Sequence, residues 1–97
     1  MNKKVSELYD ELWEIAKEIK TYYDIDKVKT FAVYIWTKGD KNADPFSDEY
    51  WGENVFDIYA DQIVFFDKNH KIPKEVMPII KKIQGKLKEI ENLKERS

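Results

Sequence analysis

The chain has 97 residues, 42% of them apolar and 14% aromatic, which is enough for one closed core and too few for a second independent domain. With no cysteine, it can form no disulfide, thiolate nucleophile or cysteine-bound metal centre. A net charge of −2 is unevenly spread: residues 38–61 carry two lysines against seven carboxylates, whereas residues 68–97 carry nine basic groups against four acidic ones.

Residues 1–12 are charged throughout and lack the apolar run of a signal peptide. No stretch approaches the roughly 18 apolar residues of a membrane helix. A soluble, cytoplasmic protein without a membrane partner is therefore expected. Of the seventeen basic residues only Arg96 is arginine, a bias that hints at the AT-rich genome of a thermophile, phage or virus.

Over residues 5–23 the apolar positions Val5, Leu8, Leu12, Ile15, Ile19 and Tyr22 recur every three or four residues, which predicts an amphipathic helix. Tyr9, Trp13, Ala16 and Tyr23 widen its apolar arc, so it is expected to meet two surfaces. Glu7, Glu11, Glu14 and Glu18 fall beside that arc and read as a solvated flank. Ser6 reads as its cap. Asp24, Ile25 and Asp26 read as a turn.

Residues 30–37 are rich in β-branched and aromatic side chains and predict a strand. Phe31, Val33 and Ile35 point one way, and Ala32, Tyr34 and Trp36 the other. Residues 54–59 repeat the alternation, with Phe56 and Ile58 opposite Val55, Asp57 and Tyr59. Residues 62–66 form a third apolar run. A turn at Ala60 and Asp61 would separate the last two, yet neither residue suits a tight turn, so one long bent strand is the alternative.

Asp67, Lys68, Asn69 and His70 predict a polar turn, with Asn69 suited to a left-handed conformation and His70 exposed. Val76, Ile79, Ile80, Ile83, Leu87, Ile90 and Leu93 then give a second helix its apolar face, with Pro73 or Pro78 in its first turn. Gly85 lies off that face and marks a bend or a close backbone contact. Residues 91–97 are expected to fray.

The sum is a single α+β domain, residues 1–97, with a three-stranded antiparallel sheet covered by N- and C-terminal helices. If both helices cover Phe31, Val33, Ile35, Phe56 and Ile58, then Tyr34, Trp36 and Tyr59 form an aromatic face that calls for a homodimer or another partner. If one helix lies on each face, no patch remains.

Residues with recognisable chemistry are few. Asp40, Asn42 and Asp44 alternate like the first ligands of an EF-hand calcium loop, but Pro45 and Trp51 stand where that loop needs a glycine and a bidentate glutamate, so no metal is expected. His70 has no nucleophile or acid beside it, the three serines have no motif around them, and three glycines cannot build a phosphate-cradling loop. A hydrolase built from Asp57, Asp61 and Asp67 with a divalent metal is one reading of these carboxylates, and nothing selects it over plain surface carboxylates. The sequence predicts neither an enzyme nor a cofactor.

Ser47 opens a short stretch with acids at its start and Gly52 at its end, which predicts one helical turn displaying Phe46, Tyr50 and Trp51 among carboxylates. Aromatic residues flanked by acids suit a protein partner with a basic surface. The expectation is a small protein-binding module of the inhibitor, immunity or viral accessory type, with contacts at Tyr34, Trp36, Phe46, Asp48, Glu49, Tyr50, Trp51 and Glu53. In the other reading Phe46 and Trp51 fold back onto the core. The alternative function is nucleic-acid binding through Lys74, Lys81, Lys82, Lys86, Lys88, Lys94 and Arg96 of the second helix. The acidic middle and the scarcity of arginine count against it, and Lys82 and Lys86 have the glutamate stripe of the first helix to offset.

Overall fold

The computed structural model describes residues 4–28 and 32–95. The domain is α+β, with a four-stranded antiparallel sheet in the order β1-β2-β3-β4 and a long helix at each end of the chain. α1 (Val5–Ala16) tightens into a 3-10 segment (Lys17–Thr21) and leads into β1 (Asp24–Val28). β2 (Ala32–Trp36) follows, then a long loop containing the one-turn helix α2 (Asp48–Trp51), then β3 (Asn54–Tyr59), β4 (Ile63–Phe65) and α3 (Met77–Glu95). No helix among the described residues is long and apolar enough to cross a membrane.

The β2–β3 pairing sets the layers. Val33 faces Ile58 and Ile35 faces Phe56, while Tyr34 faces Asp57 and Ala32 faces Tyr59. Alternation therefore puts Val33, Ile35, Phe56 and Ile58 on one side of the sheet, where they are fully buried. Leu8, Leu12, Ala16 and Ile19 of the first helical segment and Ile80, Ile83, Leu87 and Ile90 of α3 close over them in one cluster. Fully burying such a side chain stabilises the fold by about 1.5–3 kcal/mol. Both helices thus lie on one face. The second face carries Tyr34, Trp36, Asp57, Tyr59 and Val64 with no helix over it. The strand expected from residue 30 begins at Ala32 in the described chain, and Thr30 and Phe31 lie outside the described residues.

Four strands replace the expected three because Asp24–Val28, whose first three residues read as a turn, form β1 along the outer side of β2. Asp24 pairs with Trp36, Ile25 with Ile35 and Val28 with Val33, with a register shift between Ile25 and Val28. An edge strand has to bury only one face, and charged residues are common there because they discourage further pairing. That is why Asp24 and Asp26 could hide a strand. Residues 54–66 form two strands and not one: the Tyr59 N–H donates to the Gln62 carbonyl at 2.9 Å, and Ala60 and Asp61 turn without a left-handed residue.

Other expectations change on packing grounds. Ser6 sits inside α1, whose N-cap is Lys4. Trp13 remains 37% exposed beneath the Lys20 ammonium, so the arc of the first helix is narrower than its composition suggests. Its glutamates divide between local and tertiary partners: Glu14 pairs with Lys17 at 2.9 Å and Glu11 with Lys86 of α3 at 2.7 Å. Residues 91–95 are helical, and residues 96 and 97 of the segment expected to fray lie outside the described residues. Pro78 occupies the first turn of α3, where its missing N–H has no partner to lose. Gln84 reaches the β3–β4 turn, donating to the Tyr59 carbonyl at 3.1 Å.

His70 is not an exposed turn residue. Its Nε2 hydrogen-bonds the Tyr23 hydroxyl, its ring stacks on Phe56 with centroids 6.0 Å apart, and it meets Tyr23 edge-on. Burial pushes the Tyr23 phenol above its usual range, so it stays neutral in this contact. His70 thereby seals the end of the core next to the first helix. Asn69 does not turn left-handed; the Asp67 carboxylate accepts its N–H at 3.0 Å and makes the turn.

A β-carbon at Gly85 would meet nothing within 4 Å, so neither a bend nor a close contact requires glycine there. Gly85→Ala should therefore stabilise the protein by about 1 kcal/mol through helix propensity, raising the melting temperature by about 4–8 °C. A lower melting temperature in a thermal scan would show that this position needs glycine.

Candidate functional site

The loop between β2 and β3 is built as a closed unit. At its neck the Thr37 N–H donates to the Glu53 carbonyl and the Glu53 N–H to Thr37 Oγ1, both at 2.8 Å. Gly52 takes φ +83°, and a β-carbon there would lie 2.2 Å from the Thr37 carbonyl oxygen. Further out, the Asp40 N–H donates to the Glu49 carbonyl at 2.8 Å. Gly39 lets the Tyr50 backbone approach so closely that a β-carbon would sit 2.0 Å from its carbonyl oxygen. The Gly39 N–H reaches Asp24 Oδ2 on β1 at 3.3 Å, tying the loop to the sheet edge.

The carboxylates that resemble calcium ligands are used within the loop. Asp40 Oδ1 accepts the Asn42 N–H and Asp44 Oδ1 accepts the Phe46 N–H, each at 2.9 Å, which makes two successive Asx turns. Ser47 precedes the helical turn but caps no N–H; its hydroxyl donates to the Asp44 carbonyl at 2.7 Å. Asp48 and Glu49 stand in the first turn of α2, where the exposed N–H groups favour negative charge.

Three aromatic residues leave this frame in different ways. Phe46 is 98% exposed. Trp51 is 60% exposed, with its indole N–H fixed to the Pro45 carbonyl at 2.8 Å. Tyr50 is half-buried, edge-on to Trp51 at 4.9 Å, and covered by the Lys41 ammonium 4.4 Å from its ring centre. Neither Phe46 nor Trp51 folds back onto the core. Of the other expected contact residues, Asp48, Glu49 and Glu53 are exposed on the same loop, and Tyr34 and Trp36 are half-buried on the open sheet face. The loop and the face adjoin at a cleft of about 530 Å³ lined by Asp24, Ile25, Trp36, Lys41 and Trp51.

At the centre of the open face stands Asp57, paired with Tyr34 on one side and Val64 on the other. It is only 6% exposed, on the face opposite the one that the two long helices cover. Asn54 Nδ2 donates to Asp57 Oδ1 at 3.1 Å and to the Ile35 carbonyl at 2.9 Å. Desolvation raises the Asp57 pKa, with the Asn54 hydrogen bond opposing it. The Tyr59 phenol is pushed up as well, by desolvation first and then by the charge of Asp57. Trp36 Nε1 is buried without a hydrogen-bond partner.

Sequence reasoning missed Asp24, Lys41 and Asp57 as parts of this surface. Asp57 had one legible signal, a carboxylate between two core residues of a strand. Asp24 and Lys41 had none, since their positions depend on β1 and on the path of the loop. On the basic helix, Lys86 is committed to Glu11 at 2.7 Å and Glu89 at 3.5 Å, as an offset to the glutamate stripe would require. The Glu11 hydrogen bond is the main cause of its raised pKa.

The folded Asp57 carboxyl holds its proton more tightly than the unfolded one. Stability therefore falls as pH rises from the ordinary aspartate value of about 3.9 through the higher folded value, and stays reduced above it. Asp57→Asn keeps an oxygen for Asn54 and removes that cost, so the variant should melt above the wild type near neutral pH, with the advantage vanishing in acid. Melting curves with a difference independent of pH would refute the assignment. No protein-family model, curated protein or solved structure matches this chain.

Proposed function

We propose that this chain is a protein-binding module of the inhibitor, immunity or accessory-subunit type, docking on a basic partner surface through the loop of residues 38–53. The observation that carries this reading is Phe46, held 98% exposed at the tip of a loop whose backbone is hydrogen-bonded to itself and to β1. A phenylalanine in water forgoes about 1.5–3 kcal/mol of burial, which a partner pocket would recover. Because Trp51 is fixed by Pro45 and both neck strands are paired, little ordering remains to oppose association.

Charge adds direction. Residues 38–53 hold five carboxylates against two lysines, and Asp48, Glu49 and Glu53 are exposed around the aromatic residues. Such a rim speeds encounter with a positive surface and weakens with salt. The open face reaches this loop through Trp36 and offers a second, larger contact area in Tyr34 and Tyr59.

Phe46→Ser provides the test because the side chain has almost no burial to lose. The variant should keep the wild-type melting temperature to within about 0.5 kcal/mol of stability, while affinity for the partner falls about tenfold or more, as for an interface hot spot. Capture from source-cell lysate with mass spectrometry, run on both proteins at two salt concentrations, checks both points. A partner retained equally by the two would overturn the docking reading.

A further inference from the structure

The geometry points to the cleft between Trp36 and Trp51 as the receptor for one arginine side chain of a partner protein. The inference rests on the docking reading for the partner being a protein, and on the cleft itself for the arginine. At about 530 Å³ the cleft is within the range of ligand pockets, and Trp36 and Trp51 are the aromatic residues among those that line it. Asp24 stands at its edge on β1, opposite Trp36 in the strand register, with Oδ2 accepting the Gly39 N–H. An occupant must therefore match flat π surfaces and a carboxylate together.

A guanidinium meets both demands, since it stacks on aromatic faces and forks its N–H groups onto a carboxylate. An ammonium satisfies the charge without the planar stack. An apolar side chain would leave Asp24 desolvated and unpaired, and an anion would meet Asp24 and the acidic loop together. The protein already seats a cation on this aromatic wall: Lys41 Nζ lies 4.4 Å from the Tyr50 ring centre and 5.4 Å from that of Trp51. Lys41 is exposed, and in this inference it acts as an internal stand-in that leaves Trp51 when the arginine enters.

This role for Lys41 gives the site a signature opposite to that of a simple lysine contact. The experiment titrates isotope-labelled protein with the blocked tripeptide acetyl-Gly-Arg-Gly-amide and reads the three indole N–H resonances by NMR. Trp36 and Trp51 should shift saturably while Trp13, which sits on α1 beneath Lys20 and does not line the cleft, stays still, and the lysine tripeptide should bind more weakly. Asp24→Asn should weaken binding about tenfold, the scale of one charge-assisted contact. Lys41→Gln should tighten it severalfold.

Shifts that never saturate, equal movement of Trp13, tighter binding of the tryptophan or glutamate tripeptide, or weaker binding by Lys41→Gln would each overturn the inference. The titration needs no partner, so it is separable from the docking reading. Saturable, Asp24-dependent binding alongside unchanged partner capture by Phe46→Ser would refute the docking loop and leave the cleft standing. The reverse result would refute the cleft alone.

Discussion

The pairing of β2 with β3 is the constraint on which the rest of the molecule depends. It places Val33 and Ile35 against Ile58 and Phe56 on the helix side, and Tyr34 against Asp57 on the other. A slip of one residue would exchange the faces, presenting a carboxylate and a tyrosine to Leu12 and Ile83. No such state can bury its apolar groups, so the register is fixed by the core and not by a turn. One irregularity is built in. Between Ile35 and Trp36 the partner strand steps from Phe56 to Asn54, leaving Val55 as the extra residue of a bulge. Val55 is buried, and its carbonyl accepts the Phe66 and Asp67 N–H groups where β4 ends. The bulge also brings Asn54 beside Asp57 and the Ile35 carbonyl, giving the carboxylate its partner.

From that pairing follows the asymmetry of the domain. Two helices packed against each other form one layer, and among the described residues no further helix lies on the other side of the sheet. The second face closes as far as its own side chains allow: Ala32 is buried and Asp57 nearly so beneath tyrosines and a tryptophan that remain partly wet. Such a face is costly on a monomer, since Asp57 is desolvated with one neutral partner and Trp36 Nε1 has none. Both features are tolerated here by a fold whose stability comes from the opposite layer.

What the sequence revealed follows the same physics. Periodic positions that bury a full face are legible, which is why the helices, β2 and the Phe56/Ile58 alternation follow from the residues alone. β1 is not, because an edge strand needs little apolar content and Asp24 and Asp26 resemble a turn. His70 was misplaced because the Tyr23 hydroxyl that pairs with it comes from a position 47 residues earlier in the chain. The aromatic loop was visible as composition, and its single helical turn as an acidic start with a terminal glycine. Which of its aromatics would stand free was not, since that depends on the path of the loop. Phe46 is released and Tyr50 retained because Gly39 admits the Tyr50 backbone and Lys41 covers its ring.

The loop and the core meet at few points, and this separates stability from recognition. Thr37, Gly52 and Glu53 close the neck through backbone groups and the Thr37 hydroxyl, and Asp40 and Asp44 shape the tip through their own turns. None of these contacts draws on the Phe46 side chain or on the outer face of Trp51. Changes at the tip can therefore alter what the loop meets while Val33, Ile35, Phe56 and Ile58 stay packed. Gly39 and Gly52 are different, since each admits a backbone carbonyl where a β-carbon would collide. Those two glycines couple the layers: they give the loop its rigidity, and rigidity is what lets exposed aromatic residues bind without a large ordering cost.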